Sequence, residues 1–232
     1  MKIAIIAAMA EEVAILKTKI IDCQIENIQG FEFLTGQIQG CDIVLLQSGI
    51  GKVAAATATT LLLDRYEVDA VINTGSAGGT DRRLKIGDVV VSTQAAYHDV
   101  NLTPFGYKPG QMAGCPITFT TDDNLRHIAK QAIEAQGVNA VEGMIASGDS
   151  FINGEQAIAT IKNLFPETIA VEMEAAAIAH VCWLFSIPFI VVRAISDNGD
   201  KASAVNFEEF LPLAAKQSSL IVETMLQHLA EK

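Results

Sequence analysis

Apolar residues occupy almost every position in seven short runs of the chain: 2–8, 43–47, 70–73, 88–92, 141–146, 169–173 and 189–195. A strand with one face in water alternates apolar and polar positions, so a continuous apolar run marks a strand covered on both faces. The stretches between them, 11–19, 52–66, 122–136, 155–164, 174–185 and 207–229, read as helices. Thr121-Asp122-Asp123 forms a cap for a helix that Gly137 ends, and Asn206 with Glu209 resembles a capping box. Pro212, one turn inside that last helix, is expected to remove a hydrogen bond and kink it. Residues 24–40 read as a hairpin region with Gln39-Gly40 as its turn, which makes the sheet mixed. No linker or internal repeat interrupts the pattern. The expectation is one α/β domain over residues 1–232, with a central mixed sheet flanked by helices on both faces.

The longest irregular segment, 98–119, holds Pro104, Gly106, Pro109, Gly110, Gly114 and Pro116. Irregular segments of this length in compact domains are usually functional or covered. Its Leu102, Phe105, Tyr107 and Met112 favour a lid or a subunit contact over a free tail.

Composition narrows the partners. Only 19% of residues are charged and mean hydropathy is +0.32, which excludes a disordered chain. The formal charge of −11 repels phosphate backbones and anionic lipid, so neither nucleic acid nor membrane is an expected partner. Residues 121–232 carry 15 acids against 7 bases, and residues 1–120 carry 12 against 9, so the acidity is concentrated in the second half. Cys23, Cys41, Cys115 and Cys182 are scattered without zinc-type or disulfide-framework spacing, which fits a reducing cytoplasm and no metal. The apolar start is too short for a signal peptide, and 179–192 falls short of the roughly 20 residues of a membrane span.

Ligands of α/β sheets collect at the carboxyl ends of strands. Those ends carry Met9 with Glu11-Glu12; Ser48-Gly49-Ile50-Gly51; Thr74 to Gly79; Ser147-Gly148-Asp149; Glu172-Met173-Glu174; and Ser196-Asp197, with Arg193 just before. Gly49 to Ala54 matches G-x-G-x-x-A, but a dinucleotide site needs an acid at the end of the next strand, and Asp69 stands before it. Close packing of helix on sheet explains those glycines better. Glu172 and Glu174 are two apart and, if the strand continues, share a face at about 7 Å. Two carboxylates there repel one another and lose hydration unless cations or hydroxyls meet them. Taken singly, Asp197 reads equally as a turn or cap residue, and Glu12 as a first-turn carboxylate.

Taken together, Ala8-Met9-x-Glu11-Glu12, Ser48 to Lys52, Asn73 to Gly78, Ser147-Gly148-Asp149-x-Phe151-Ile152, Val171 to Glu174 and Arg193 to Asp197 resemble the bacterial 5′-methylthioadenosine/S-adenosylhomocysteine nucleosidases, in order over nearly the whole chain. The resemblance implies a nucleoside phosphorylase-like fold and a homodimer. It implies hydrolysis of the N-glycosidic bond of methylthioadenosine, S-adenosylhomocysteine and 5′-deoxyadenosine, with no cofactor. By the same resemblance Asp197 protonates adenine N7, and Glu12 activates water with the help of Ser76, Glu172 and Arg193. Glu174 binds the ribose hydroxyls with Met173 against the sugar, and the Ile152 backbone reads the adenine edge beneath Phe151. Met9, Ile50, Gly78, Ser196 and Phe207 shape the pocket, and Leu102, Phe105 and Ala113 reach the 5′-alkylthio group from the partner subunit. The chemistry is coherent: a carboxyl group buried at the end of an apolar strand can act as an acid near neutrality, and a second carboxylate on water follows the logic of glycoside hydrolysis.

The chain departs from the family pattern in reading Ala7-Ala8-Met9 for Gly-Ala-Met, in carrying Ala113 where Pro is common, and in having Asn198-Gly199 after the acid. Losing a ring from an apolar wall is worth about 1 kcal/mol of affinity. On the same fold a phosphorylase is disfavoured, because phosphate needs cations and backbone N–H groups, and the first strand leads instead to Glu11-Glu12, with Asn73 where such an enzyme would carry Arg. An aminodeoxyfutalosine-type nucleosidase shares the bond cleaved. A non-catalytic nucleoside-binding protein would need no Glu12 and Asp197 together.

Overall fold

Every apolar run becomes a strand, and in the runs at 2–8, 43–47, 70–73, 88–92 and 189–195 alternate side chains fall into two cores. The computed structural model describes residues 1–198 and 203–231, leaving Gly199 outside the described residues. The strands are β1 (Lys2–Ala7), β2 (Ile21–Ile28), β3 (Phe31–Ile38), β4 (Cys41–Gln47), β5 (Ala70–Gly79), β6 (Val89–Tyr97), β7 (Phe119–Thr120), β8 (Ala140–Ser147), β9 (Thr168–Glu172) and β10 (Phe189–Asp197). The helices are α1 (Ala10–Lys17), α2 (Lys52–Arg65), α3 (Asp123–Gln136), α4 (Glu155–Leu164), α5 (Ala175–Phe185) and α6 (Ser203–Ala230), with a 3₁₀ turn at Thr103–Phe105. In β1, Ile3, Ile5 and Ala7 pack with residues of α1, α3 and α6, whereas Ala4 and Ile6 pack with residues of α2 and α5. Two covered faces remove any need for polar positions, which is why the runs are unbroken.

All ten strands join one mixed sheet in the order β10-β6-β8-β9-β5-β1-β4-β3-β2, with β7 beside β6. β10 also pairs with β5, so β5, β10, β6, β8 and β9 close into a ring. Four features differ from expectation. The region of residues 24–40 is part of a three-stranded meander, because Gln29-Gly30 makes a second turn like that at Gln39-Gly40; all four residues have φ between 51° and 87°, the backbone of a tight hairpin turn. β5 continues through the glycine-rich segment to Gly79 instead of ending at Asn73. β9 stops at Glu172, and Glu174 stands at the N-cap of α5, so the two carboxylates do not share a strand face. α6 begins at Ser203, ahead of Asn206, and runs through Pro212. Among the described residues no helix is long and apolar enough to cross a membrane.

Candidate active site

β5 changes neighbours along its length. It pairs with β1 as far as Asn73 and with β9 only from Gly78. The side of Thr74 to Ala77 between those pairings faces a gap, and the carboxylate of Glu12 fills it. One oxygen accepts the Ser76 N–H at 2.9 Å and the Ser76 hydroxyl at 2.9 Å; the other accepts the N–H groups of Ala8 at 3.0 Å and Met9 at 3.1 Å, just past the end of β1. Glu12 therefore supplies the acceptors that a strand would have supplied, at 1% exposure. Gly75, at φ +139°, makes the seat possible: a Cβ there would lie 2.6 Å from Glu12 Oε1.

Arg193, on β10 and 1% exposed, is the hub of the other half. Its Nη1 donates to Ser76 O at 2.8 Å; its Nη2 lies 3.0 Å from Asn73 Oδ1, 3.2 Å from Glu174 Oε2 and 2.7 Å from Glu172 Oε2. Asn73 is itself fixed by donating to Ile6 O at 2.9 Å. Glu172 also accepts from the Ser147 hydroxyl and from the N–H groups of Glu174 at 2.9 Å and Ala175 at 2.8 Å, where α5 begins. Glu174 accepts the Gly51 N–H, ahead of α2, at 2.9 Å. Burial works against the charge on Arg193, but Glu172, Glu174 and Glu12 outweigh it and hold its pKa above the ordinary value. For Glu174 burial prevails: it pushes the carboxyl up to about 7, and the repulsion of Glu172 and Glu12 adds to it against the pull of Arg193 and Gly51 N–H.

These groups open into a cavity of about 300 Å³. Asp197, 2% exposed at the end of β10, lines it and accepts from Ser196 Oγ at 3.0 Å. A Cβ on Gly78 would lie 3.1 Å from Asp197 Oδ1, so the glycine lets that carboxylate lie against β5. Met9, Ile50, Phe151, Ile152, Met173, Ser196 and Phe207 also line the cavity, with the rings of Phe151 and Phe207 edge to face at 5.7 Å. Leu102, Phe105 and Ala113 do not line it; Phe105 is 79% exposed, on the loop that leaves β6. Sequence reasoning passed over the Ser147 hydroxyl, the Gly51 N–H and the anchoring role of Asn73. The first two stood in strand-end segments already singled out, so position was the available signal. Among the described residues no group of three or more His, Cys, Asp or Glu is arranged to hold a metal ion.

Residues 2–227 match the family model of the phosphorylase superfamily. A 5′-methylthioadenosine/S-adenosylhomocysteine nucleosidase from Colwellia psychrerythraea, solved with adenine, is 50% identical with a TM-score of 0.96, over 99% of this chain and 96% of that one. The Neisseria meningitidis nucleosidase of the same kind, in complex with methylthio-immucillin-A, is 41% identical with a TM-score of 0.96, over 98% and 99%. A futalosine hydrolase from Helicobacter pylori is 34% identical with a TM-score of 0.93, over 98% and 97%. The protein belongs to the phosphorylase superfamily and, within it, to the family of 5′-methylthioadenosine/S-adenosylhomocysteine nucleosidases.

Proposed function

We propose that the protein hydrolyses the N-glycosidic bond of 5′-methylthioadenosine and S-adenosylhomocysteine, releasing adenine and the 5′-substituted ribose. The observation that carries this reading is the electrostatics of the cavity. Arg193 is the one cation among its described lining residues, and both its terminal nitrogens are engaged by neighbouring oxygens. An incoming phosphate would meet Glu12, Glu172 and Glu174 before it met a free cation, so the nucleophile is water.

In this reading Asp197 delivers a proton to adenine N7, which makes the base a neutral leaving group while the sugar develops oxocarbenium character. Glu12, its orientation fixed by four donors, accepts a proton from the attacking water, and Arg193 holds Ser76 and the acidic pair in place. Glu174 accepts from the ribose hydroxyls, with Met173 against the sugar. Ile152 meets the adenine edge through its backbone beneath Phe151, and Met9, Ile50, Gly78, Ser196 and Phe207 enclose the nucleoside. A second copy of the chain brings Leu102, Phe105 and Ala113 to the 5′-group, making the working unit a homodimer. The products suit methionine salvage in the cytoplasm.

In phosphate-free buffer the protein should release adenine from methylthioadenosine at the rate seen with phosphate, measured by separation of free adenine. A rate that rises from near zero with added phosphate would overturn hydrolysis. A panel containing S-adenosylhomocysteine, 5′-deoxyadenosine and an aminodeoxyfutalosine-type nucleoside ranks the substrates in the same assay.

A further inference from the structure

At the rim of the cavity three loops are tied by a closed ring of bonds. Asp149 Oδ1, in the loop after β8, accepts the backbone N–H of Lys52 at the first turn of α2, at 2.7 Å. The N–H of Asp149 donates to Asp99 Oδ2 at 2.9 Å, in the loop after β6. The Lys52 ammonium closes the ring on both oxygens of Asp99, at 2.7 and 2.6 Å. The residue before Lys52 is Gly51, whose N–H is held by Glu174. A Cβ on Gly51, at φ +92°, would come 3.1 Å from Asp149 Oδ1, so the turn and the carboxylate are fitted closely together.

We propose that Asp149 is a positioning residue: by holding the Lys52 N–H it fixes the turn before α2 so that the adjacent Gly51 N–H points at Glu174. Two successive N–H groups at one helix start are then shared between two carboxylates, one at the rim and one inside the cavity. Asp149 touches no reacting atom and acts through Gly51. Its function is to keep Glu174 an acceptor, which matters because Glu174 faces Glu172 on β9 and Glu12 on α1, with Arg193 as the only facing cation among the described residues. Losing the Gly51 bond removes one of the two interactions that favour the ionised form, so the Glu174 carboxyl would take up its proton at higher pH. An ordinary helix cap would stabilise α2 and leave that titration alone. The inference rests on Glu174 being the group that binds the ribose.

The test compares Asp149→Ala, Asp149→Asn and the unmodified full-length protein, following the Glu174 carboxyl by ¹³C NMR in the free protein, with Glu174→Gln to assign the signal. In Asp149→Ala the midpoint should rise by about half a unit to one unit, and the KM for methylthioadenosine near pH 7 should rise roughly two- to fivefold, reaching about three- to tenfold only below both midpoints. That deficit should shrink as pH increases, with kcat within about twofold. Asp149→Asn keeps an oxygen acceptor and should stay within about twofold of the parent. Asp99→Ala releases the brace on Asp149 and gives a second route to the same shift if Asp149→Ala does not fold. An unchanged Glu174 titration in the alanine variant, even with a lowered Tm, would make Asp149 a helix cap and sink the proposal. Failure of the parent to release adenine would instead sink the hydrolase reading, and the NMR titration would still decide the positioning role.

Discussion

Glu174 puts stability and binding in opposition within one side chain. Its carboxyl is raised by burial from an ordinary 4.5 to about 7, so the folded protein holds that proton more tightly than the unfolded chain does. Its effect on folding therefore becomes less favourable as pH rises from about 4.5 to about 7, and the loss persists above that window. Glu174→Gln cannot ionise and should remove this slope. Thermal scans from pH 4 to 8.5 should show its Tm gaining on the parent through the window, a stability difference of at most about a few kcal/mol because the group titrates together with its neighbours, while methylthioadenosine binding weakens. Parallel Tm curves would contradict the assignment. The residues of the candidate site stood out at this scale, the acids, hydroxyls and Arg193 lying at strand ends, but position alone left Asp197 and Glu12 undecided and the family resemblance supplied their roles. What the residues could not reveal was their arrangement. Glu12 read equally as a first-turn carboxylate, because its role as a substitute strand partner for Ser76 depends on β5, more than sixty residues away in the chain.

The elements were legible wherever a local pattern reports local structure. The apolar runs became strands, and Asp122 caps α3 by accepting the Leu125 N–H at 2.9 Å, with Gly137 ending the helix at φ +64°. Pairing was not legible. A run such as Thr74 to Gly79 has little side chain to report β structure, and it is held extended by β10 and β9, which lie far along the chain. The end of α5 shows how local chemistry can be improved. Ser186 occupies the left-handed C-cap at φ +57°, its N–H donating to Trp183 O at 3.2 Å and the Ile187 N–H to Cys182 O at 2.9 Å. A side chain in that conformation is strained, and glycine is not. Ser186→Gly should stabilise the protein by about 0.5–1 kcal/mol, read as a Tm increase of roughly 1–4 °C with kcat unchanged. A fall in Tm would show that chain entropy outweighs the strain at this position.

At the scale of the whole molecule, the loop after β6 leaves Phe105 79% exposed, while Ile50 at 57% and Phe151 at 45% line the cavity and Val53, at 78%, stands in the first turn of α2. Apolar surface gathered at the opening of a site fits burial by a second copy. Phe105→Asp should shift sedimentation towards the monomer and raise the KM for methylthioadenosine at least tenfold, by roughly 1.4 kcal/mol or more of lost binding. A monomeric parent with full turnover would remove the partner from the pocket. The strand ring has a further outcome, remote from catalysis. Because β5, β10, β6, β8 and β9 close on one another, β2 is left as the outer flank of the described sheet, with Ile21 at 62% and Ile25 at 53% exposure among Asp22 and Glu26. Unpaired strand flanks template edge-to-edge polymerisation, and acidic neighbours deter it only while ionised. The eight residues of β2, on the opposite flank of the sheet from the cavity, are therefore where substitutions against edge-to-edge pairing can be placed away from the chemistry.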